Sequence, residues 1–353
     1  MNKNSKVLNL KKTTLVVTSI NKRNEAIKKF EKLCKKNNTD FIFVADKKTP
    51  KFKYGDDLKF LSLKDQESLS FKICKKIPIN SYSRKNIGYL YSILKGAKRI
   101  YETDDDNYPK KNFFSQNIEN LKHYRIKENG FINIYKYFLN KKIDIWPRGL
   151  PLSKIKTAKK SFIKLKKQSE KFSIIQRLCD ENPDVDAIYR LINKKINIKF
   201  TNHKSFYANN KSYIPFNSQN TIWHQEVFPL MYLPTYCTMR ATDIWRSYIA
   251  THIMNKLNMK ILFTSSTVYQ KRNVHNLYND FKLEIPVYRD VEILINELKK
   301  LKIYKSKKYM LINLFNCYKK LVECKIFDKK ELGLVKLWCN DISKIVPKLI
   351  KIK

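Results

Sequence analysis

The segment KRIYETDDDNYP (residues 98–109) places three consecutive aspartates directly after a short β-prone run. The run KRIYET has the composition of a buried strand, and Asp104, Asp105 and Asp106 follow at its C-terminal end. Open α/β sheets place their ligand crevice outside the carboxyl ends of the strands. The segment therefore predicts both an α/β fold and the edge of the sheet at which a site would lie.

The chain around this segment alternates short strands with helical patterns. Strands are predicted at TTLVVTS (13–19), FIFVAD (41–46) and LKFLSL (58–63), and helices at about 24–36 and about 82–94. Such alternation indicates an α/β sheet that is largely parallel at its start and flanked by helices. Lys-rich amphipathic helices without strand signals follow. We expect a basic tail over 1–12, an α/β domain over 13–278 and a helical C-terminal region over 279–353.

The composition favours a folded protein without a membrane span. The chain has 353 residues, 43% of them hydrophobic, which is enough to bury one large core or two smaller ones. No run approaches the roughly 18–20 apolar residues of a spanning helix, and the N-terminal apolar stretch does not resemble a signal peptide. Seven scattered cysteines without a CxxC pair indicate reduced thiols. We therefore expect a cytoplasmic protein.

The formal net charge of +42 raises the question of a polyanionic partner. Only 11 of the 73 basic residues are Arg, and the lysines are spread along the whole chain. A nucleic-acid-binding protein usually concentrates its charge in a patch and uses Arg for bidentate contacts. We therefore expect no nucleic-acid partner, whereas the basic surface is compatible with peripheral association at the anionic inner face of a membrane.

The three adjacent aspartates have two interpretations of about equal weight. Neighbouring carboxylates repel one another unless a cation compensates them, and oxygen ligands beside a diphosphate suit Mg²⁺ or Mn²⁺. Asp, Asn and Pro are also ordinary turn residues, so a solvated turn before Pro109 would give the same letters.

The preceding helix, in NSYSRKNIGYLYSILKG (80–96), favours the metal interpretation. Arg84 and Lys85 lie near its N-terminus, where backbone N–H groups and the helix dipole favour an anion. Gly88 inside the helix indicates close approach by a ligand or another backbone. A solvated helical face is the alternative for the two basic residues. A basic helix start, a strand and three acids in this order fit a phosphate and its metal.

Several further motifs, in the same order along the chain, resemble one known family. They are VADKKTP (44–50), DIWPRGLPL (144–152), NPDVDAIYRL (182–191), PFNSQNTIWHQEVFPLMYLP (215–234) and MRATDIWRSYIA (239–250). Together with residues 80–109 they resemble the STELLO-type glycosyltransferases, distant relatives of the reversibly glycosylated polypeptides, which are UDP-arabinopyranose mutases. The resemblance extends from about residue 14 to about residue 286.

The resemblance implies a GT-A nucleotide-sugar-binding fold and a metal-dependent glycosyltransferase. The implied donor is a nucleotide sugar, expected to be a UDP-sugar, with Mn²⁺ or Mg²⁺ as cofactor. The acceptor would be a carbohydrate, a lipid-linked sugar or a protein. Two alternatives stay open: a nucleotide-sugar mutase, and a non-catalytic scaffold of a polysaccharide-synthesis complex.

The resemblance also implies a donor pocket. Thr18 and Ser19 at the end of the first strand, with Asp46 after the second, would surround the nucleoside, and Asp46 would bond the uracil or ribose. Arg84 and Lys85 would hold the uridine or the diphosphate.

The three aspartates receive separate roles from the same resemblance. Asp104 would face the ribose and reach the metal, Asp105 would act beside the reacting sugar, and Asp106 would bind the metal. His275 would be a third metal ligand, although a lone His is more often an ordinary surface or core residue.

The segment MRATDIWRSYIA is the strongest candidate for the remaining chemistry. Thr242 or Asp243 begins a predicted helix, so Asp243 could simply cap it. An inverting enzyme of this type needs a carboxylate to accept the acceptor's proton, and we expect Asp243 to be that base or an acceptor contact. Trp245 would offer a platform for a sugar ring, with a core position as the alternative.

The other predicted substrate contacts are spread over four segments. They are Arg148 (with Trp146 and Gly149) on the diphosphate or sugar, Asp186 in the sugar pocket, Asn217 and Gln219 as readers of sugar hydroxyls, and Arg272. For NPDVDAIYRL the alternative is a helix that starts at Pro183 and Asp184, with Asp186 pairing with Arg190.

Overall fold

A computed structural model describes residues 12–50, 58–114, 123–139, 143–156, 161–164, 170–193, 196–273 and 275–346. Its strands are β1 (Thr13–Ser19), β2 (Asp40–Ala45), β3 (Leu58–Leu61), β4 (Arg99–Thr103), β5 (Asn107–Pro109), β6 (His123–Ile126), β7 (Gly130–Phe131), β8 (Phe162–Lys164), β9 (Phe172–Asp180), β10 (Ser205–Tyr207), β11 (Ser212–Tyr213), β12 (Asn220–His224) and β13 (Lys260–Gln270). Its α-helices are α1 (Glu25–Lys36), α2 (Leu63–Ser68), α3 (Lys85–Leu94), α4 (Ala187–Ile192), α5 (Thr242–Lys256), α6 (Leu277–Lys299), α7 (Met310–Glu323) and α8 (Lys330–Ile345). Apart from Lys12, the predicted basic tail lies outside the described residues.

The first half of the sheet is parallel, in the order β3-β2-β1-β4. The helix α1 begins after Asn24, whose side chain accepts a hydrogen bond from the Ile27 amide, and it buries an apolar face. The predicted strand LKFLSL ends at Leu61, because Ser62 and Asp65 form a capping box that starts α2. The predicted alternation of strands and helices is confirmed in this half.

The second half of the sheet is mixed. Strand β12 runs antiparallel between β4 and β9, β9 pairs in parallel with β13, and the order continues through β10 and β6 to β8. Strand β5, directly after the three aspartates, pairs antiparallel with the end of β13. This pairing brings the C-terminal ends of β4 and β13 together. The expected GT-A-like fold, a mixed and largely parallel sheet flanked by helices, is confirmed.

Helices cover both faces of the sheet. Alternate residues of β1 point to opposite faces, so Val16 belongs to one hydrophobic cluster, whereas Leu15 and Val17 belong to the other. Helix α3 packs in the first cluster and α1 in the second. Burial on both faces explains why these strands read as continuous apolar runs rather than as alternating ones.

The predicted C-terminal helices are present and share the larger core. Buried side chains of α6, α7 and α8 belong to the same cluster as those of α3 and α5. Asp341 of α8 accepts a hydrogen bond from the Ile73 amide at 2.9 Å, and the Trp338 indole donates to the Pro229 carbonyl at 2.9 Å. The predicted boundary at residue 279 lies inside α6. None of the described helices is both long and apolar enough to cross a membrane.

Candidate active site

A cavity of about 370 Å³ opens at the C-terminal ends of β1, β2 and β4, beside the end of β13 and the start of α5. This is the edge of the sheet that the sequence predicts for a site. Its lining includes eleven of the predicted site residues: Thr18, Ser19, Asp46, Asp104, Asp105, Asp106, Arg148, Gln219, Asp243, Arg272 and His275. It also includes residues that were not predicted as site residues, among them Lys48, Tyr82, Asp184, Ser218, Arg240 and Gln270.

The three adjacent aspartates line one wall, and each is held by a different neighbour. The Tyr82 hydroxyl donates to Asp104 Oδ1 at 2.9 Å, and Lys85 Nζ lies 3.4 Å from the same oxygen. The Ser19 hydroxyl donates to Asp105. The Gln270 amide donates to both carboxylate oxygens of Asp106, at 2.9 and 3.0 Å. The carboxylates are therefore oriented mainly by neutral groups.

The carboxylates of this wall have fewer positively charged neighbours than they need to stay ionised when buried, and their pKa values show it. Burial raises the pKa of Asp104 to about 6, in spite of Lys85 and the Tyr82 hydroxyl. Burial also raises the pKa of Asp106 to about 7, and the neighbouring charge of Asp104 adds to the rise. Within the described part of the chain, no Lys or Arg forms an ion pair with Asp105 or Asp106.

The donor set of this wall fits an oxygen-ligated divalent cation that a substrate helps to bind. No group of three or more His, Cys, Asp or Glu side chains among the described residues is arranged to hold a metal by itself. Mg²⁺ is typically bound by one or two carboxylates together with substrate phosphates and water. Asp104 and Asp106 match that pattern. His275 lines the cavity with Nδ1 3.4 Å from Asp280 Oδ1, and its role as a ligand stays a prediction.

A second pair of cavity aspartates is bridged by one arginine, and Arg240 Nη2 lies 3.9 Å from Asp184 Oδ1 as a more distant second cation. Arg148 donates to Asp184 at 2.9 and 2.7 Å and to Asp243 at 2.9 and 3.0 Å. The Ser218 amide and hydroxyl add contacts to Asp243 Oδ2 at 3.2 and 3.3 Å. The three charged side chains of this bridge are more than nine-tenths buried. The guanidinium is therefore a fixed bridge between two carboxylates.

The bridge reverses the usual effect of burial on a carboxyl. Burial works to raise the pKa of Asp184, but the Arg148 guanidinium outweighs it and holds that pKa at about 2. Burial would lower the pKa of Arg148, but Asp184 and Asp243 raise it well above its ordinary value. The geometry does not favour Asp243 as a general base, because both of its carboxylate oxygens accept from the Arg148 guanidinium and Oδ2 also accepts from the Ser218 amide. Nor does it leave Arg148 free for a diphosphate.

At the end of the cavity where a nucleoside is predicted, Asp46 and Thr18 form hydrogen bonds with backbone groups. Asp46 accepts hydrogen bonds from the amides of Asn80 and Ser81, at 2.7 and 3.0 Å, which fixes the loop before α3 against the end of β2. Thr18 donates to the Val44 carbonyl at 3.1 Å. Asp46 therefore shapes this end of the cavity, and both of its carboxylate oxygens already have partners.

Three predicted contacts in and before α3 lie behind the cavity wall. Arg84 is buried and donates to the Gln66 side chain and to the Ile77 carbonyl, so its position does not support a diphosphate contact. Lys85 is buried too, and its Nζ contacts residues of the cavity lining at Asp104, at the Tyr82 hydroxyl and, at 3.5 Å, at the Ser218 carbonyl.

The third of these residues, Gly88, is a packing position. A Cβ there would lie 2.6 Å from a methyl group of Val44 and 2.8 Å from one of Val16. The close approach that the sequence predicts is therefore real, but the partners are side chains of the sheet and not a ligand.

Three more predicted contacts also lie outside the cavity lining. Asp186 caps α4 by accepting from the Tyr189 amide at 2.7 Å, and it accepts from the Trp146 indole at 2.7 Å. Asn217 donates to Asp184 at 2.9 Å and so supports the arginine bridge. Trp245 is buried in the core, as its alternative interpretation held.

The alternative interpretation of the second acidic segment is wrong in detail. The helix begins at Ala187 rather than at Pro183 or Asp184. Arg190 donates to the Pro183 carbonyl at 2.9 Å and not to Asp186. Asp186 instead satisfies a helix N-terminus and an indole, both of which are neutral. Burial therefore raises the pKa of Asp186 to about 6, since no cation sits directly on it.

Sequence reasoning missed the polar residues that orient the aspartates. Tyr82 and Ser218 share a hydrogen bond of 2.5 Å between their hydroxyl oxygens, which links Asp104 to Asp243 across the cavity floor. Both residues lie inside motifs that the sequence analysis quotes. Gln270, the last residue of β13, gave no such signal. Its position depends on the pairing of β5 with β13, which joins segments more than 150 residues apart in the sequence.

Comparison with known proteins adds an independent observation. A family profile described as STELLO glycosyltransferases matches residues 240–352. The Arabidopsis thaliana protein named "Probable glycosyltransferase STELLO2" is 28% identical over 254 residues, which are 67% of this chain and 33% of that protein. "Probable glycosyltransferase STELLO1" of the same plant is 27% identical over 273 residues, 72% of this chain and 35% of that protein. The chain thus spans about a third of the length of these curated relatives.

Proposed function

Because this chain is related to the STELLO glycosyltransferases, as its motifs predict, we propose that it transfers a sugar from a nucleotide-sugar donor to an acceptor. The expected donor is a UDP-sugar, and the acceptor is a carbohydrate, a lipid-linked sugar or a protein. The proposal further includes a divalent cation, Mn²⁺ or Mg²⁺, at Asp104 and Asp106.

One observation carries the proposal: the cavity is acidic although the chain is strongly basic. The chain has a formal net charge of +42, whereas the cavity lining has six carboxylates against four Lys and Arg side chains among the described residues. Random placement would not gather acids at the strand ends of such a chain. The excess of carboxylates lies on the wall of Asp104, Asp105 and Asp106, where a cation with a diphosphate would be stabilised.

In the proposed reaction the bond between the sugar C1 and the phosphate oxygen breaks, and a bond from C1 to the acceptor oxygen forms. The nucleoside diphosphate leaves, and the proton of the acceptor hydroxyl passes to an oxygen of the departing diphosphate or to solvent. A bound divalent cation would supply charge stabilisation for the departing diphosphate. Asp104 and Asp106 would hold that ion. Tyr82 and Gln270 keep these two carboxylates in place through their hydrogen bonds.

The position of Asp243 favours a second candidate, a nucleotide-sugar mutase. A transferase that inverts the sugar needs an accessible base for the acceptor proton. Asp243 accepts hydrogen bonds from Arg148 and Ser218, so it is a poor candidate for that task. A mutase returns the same sugar to the same diphosphate in another ring form, and it needs no base for an external acceptor. Interconversion of UDP-arabinose without an acceptor would identify this activity.

Calorimetric titration of the full chain with UDP and GDP, each with Mn²⁺, Mg²⁺ or EDTA, tests the proposal. We expect metal-dependent UDP binding that Asp106→Asn abolishes. Asp40→Asn is the matched control, because Asp40 is exposed at the opposite end of β2 and should leave binding unchanged. No response to either nucleotide with any metal would contradict the donor site and leave the scaffold interpretation.

A further inference from the structure

Two arginines that are distant in the sequence both line the cavity. Arg240 precedes α5, and Arg272 follows β13. Their side chains are 11% and 12% exposed, so each guanidinium is largely buried but still reaches the cavity surface. Arg272 lies two residues beyond Gln270, the residue that holds Asp106. Arg272 is therefore placed near Asp106, whereas Arg240 lies in the same cavity lining with Nη2 3.9 Å from Asp184 Oδ1.

Helix α6 fixes both guanidiniums. Asp280 and Glu284 are four residues apart on this helix and so lie on the same face. Arg272 Nη2 donates to Asp280 Oδ2 at 2.5 Å, and Arg240 Nε donates to Glu284 Oε1 at 2.7 Å. Glu284 is fully buried, and it also accepts from the Ala187 amide at 2.8 Å. Helix α6 thus fixes two arginines of the cavity lining, although its own described residues do not line the cavity.

A third guanidinium lies close behind this pair. Arg190 of α4 is buried, its Nε has no hydrogen-bond partner, and its Nη2 donates to a backbone carbonyl. Burial lowers the pKa of Arg190 to about 9, and the positive charges of Arg272 and Arg240 contribute to the decrease. Arg240 and Arg272 are balanced by Glu284 and Asp280, so Arg190, for which no ion pair is seen among the described residues, adds positive charge behind them that would favour an anion at the cavity surface.

We propose that Arg240 and Arg272, supported by α6, form an oxyanion subsite that binds a phosphoryl group without needing the metal. The proposal rests on the proposed function for its location beside a nucleotide-sugar donor. Guanidinium groups match phosphate oxygens with paired, charge-assisted hydrogen bonds. Charge that develops on the leaving diphosphate would be stabilised by groups that are already oriented.

The test is calorimetric titration of the full chain with inorganic pyrophosphate in the presence of EDTA. Pyrophosphate should bind without metal, and Arg272→Gln should weaken it by about tenfold or more, as expected for a lost charge-assisted hydrogen bond. Arg240→Gln alone would leave Glu284 without its cation. The double variant Arg240→Gln/Glu284→Gln removes both charges, and we expect it to fold and to show a similar loss.

Lys282→Gln is the matched control for net charge. Lys282 is exposed on α6 between the two acidic residues and does not line the cavity, so pyrophosphate binding should change less than twofold. The absence of metal-free pyrophosphate binding by the unchanged protein would overturn the proposal. Equal weakening in Lys282→Gln and Arg272→Gln would also overturn it, because general charge would then explain the binding.

Two further titrations distinguish this subsite from the metal site and identify whether its phosphate belongs to the donor or to the acceptor. Asp106→Asn should keep metal-free pyrophosphate binding while it loses the metal-dependent response to UDP, so the two proposals can fail independently. Saturating UDP with Mg²⁺ should block pyrophosphate if the subsite receives the donor diphosphate. Undiminished pyrophosphate binding would assign the same subsite to a phosphate on the acceptor.

Discussion

Two groups of aspartates face the same cavity, and they differ in what neutralises them. Asp184 and Asp243 share the Arg148 guanidinium at distances of 2.7–3.0 Å. Asp104 has only Lys85 at 3.4 Å, and Asp106 has the neutral amide of Gln270. The pKa of Asp184 is about 2, whereas the pKa of Asp106 is about 7. Dense acids in a sequence therefore indicate a site only where the folded protein supplies no cation of its own to neutralise them.

Removal of the Arg148 guanidinium should lower the stability of the protein more than any other change considered below. Arg148→Met leaves the buried Asp243 without its ion-pair partner and Asp184 with only Arg240, 3.9 Å away, so we expect a loss of about 3–5 kcal/mol in the free energy of unfolding. Urea denaturation followed by circular dichroism measures it. Arg125→Met is the control, because Arg125 is exposed and should cost less than about 0.5 kcal/mol. If Arg148→Met lowered the free energy of unfolding by less than about 1 kcal/mol, the bridge to Asp184 and Asp243 would not be a structural element of the fold.

A pH comparison of two neighbouring carboxyls sharpens the same distinction. The folded pKa of Asp186, about 6, lies above the ordinary value of 3.8, so its penalty on folding grows as pH rises from about 4 to about 6. The folded pKa of Asp184, about 2, lies below 3.8, so its stabilisation is complete above about pH 4 and is lost only as pH falls towards 2.

The two Asn variants should therefore respond differently between pH 4 and pH 7. The stability difference between the unchanged protein and Asp186→Asn should shift by up to about 3 kcal/mol against the unchanged protein as pH rises. The corresponding difference for Asp184→Asn should stay constant over that range. Urea titrations at each pH give both differences. If the stability differences of the two variants changed with pH in the same way, Arg148 would not be the cause of different pKa values for Asp184 and Asp186.

A smaller effect is expected at the wall of three aspartates. Asp106→Asn removes one of several close, poorly compensated carboxylates, so the metal-free protein should become more stable by about 0.5–2 kcal/mol. Asp243→Asn, which weakens an ion pair, should destabilise the protein. Thermal unfolding in EDTA compares the two variants. If Asp106→Asn were less stable than Asp243→Asn, the wall of three aspartates would also stabilise the fold.

The sequence allowed prediction of those parts of the molecule that depend on local patterns. The parallel strands, the helices between them and the position of Asp104–Asp106 follow from apolar runs, caps and the rule for strand ends. Eleven of the 23 described residues that line the cavity were predicted as site residues. The packing of Gly88 shows the limit, since the sequence indicates a close approach but not the identity of Val16 and Val44 as partners.

Long-range partnerships could not be predicted from one sequence. Arg148 meets Asp184 and Asp243 from 36 and 95 residues away, and this pairing decides that Asp243 is held by a bridge. Asp280 and Glu284 appear as ordinary charges on an amphipathic helix, yet they hold two cavity arginines. In both cases the sequence offers many oppositely charged residues, and only the tertiary structure shows which of them form ion pairs.

Titration of Mn²⁺ in the presence of UDP, followed by electron paramagnetic resonance, tests most directly whether the two groups of aspartates differ in function. We expect a bound Mn²⁺ signal that depends on UDP, disappears in Asp106→Asn and persists in Asp243→Asn. A signal that is undiminished in Asp106→Asn, or lost in Asp243→Asn while that variant remains folded, would contradict the assignment of the metal to the wall of Asp104, Asp105 and Asp106.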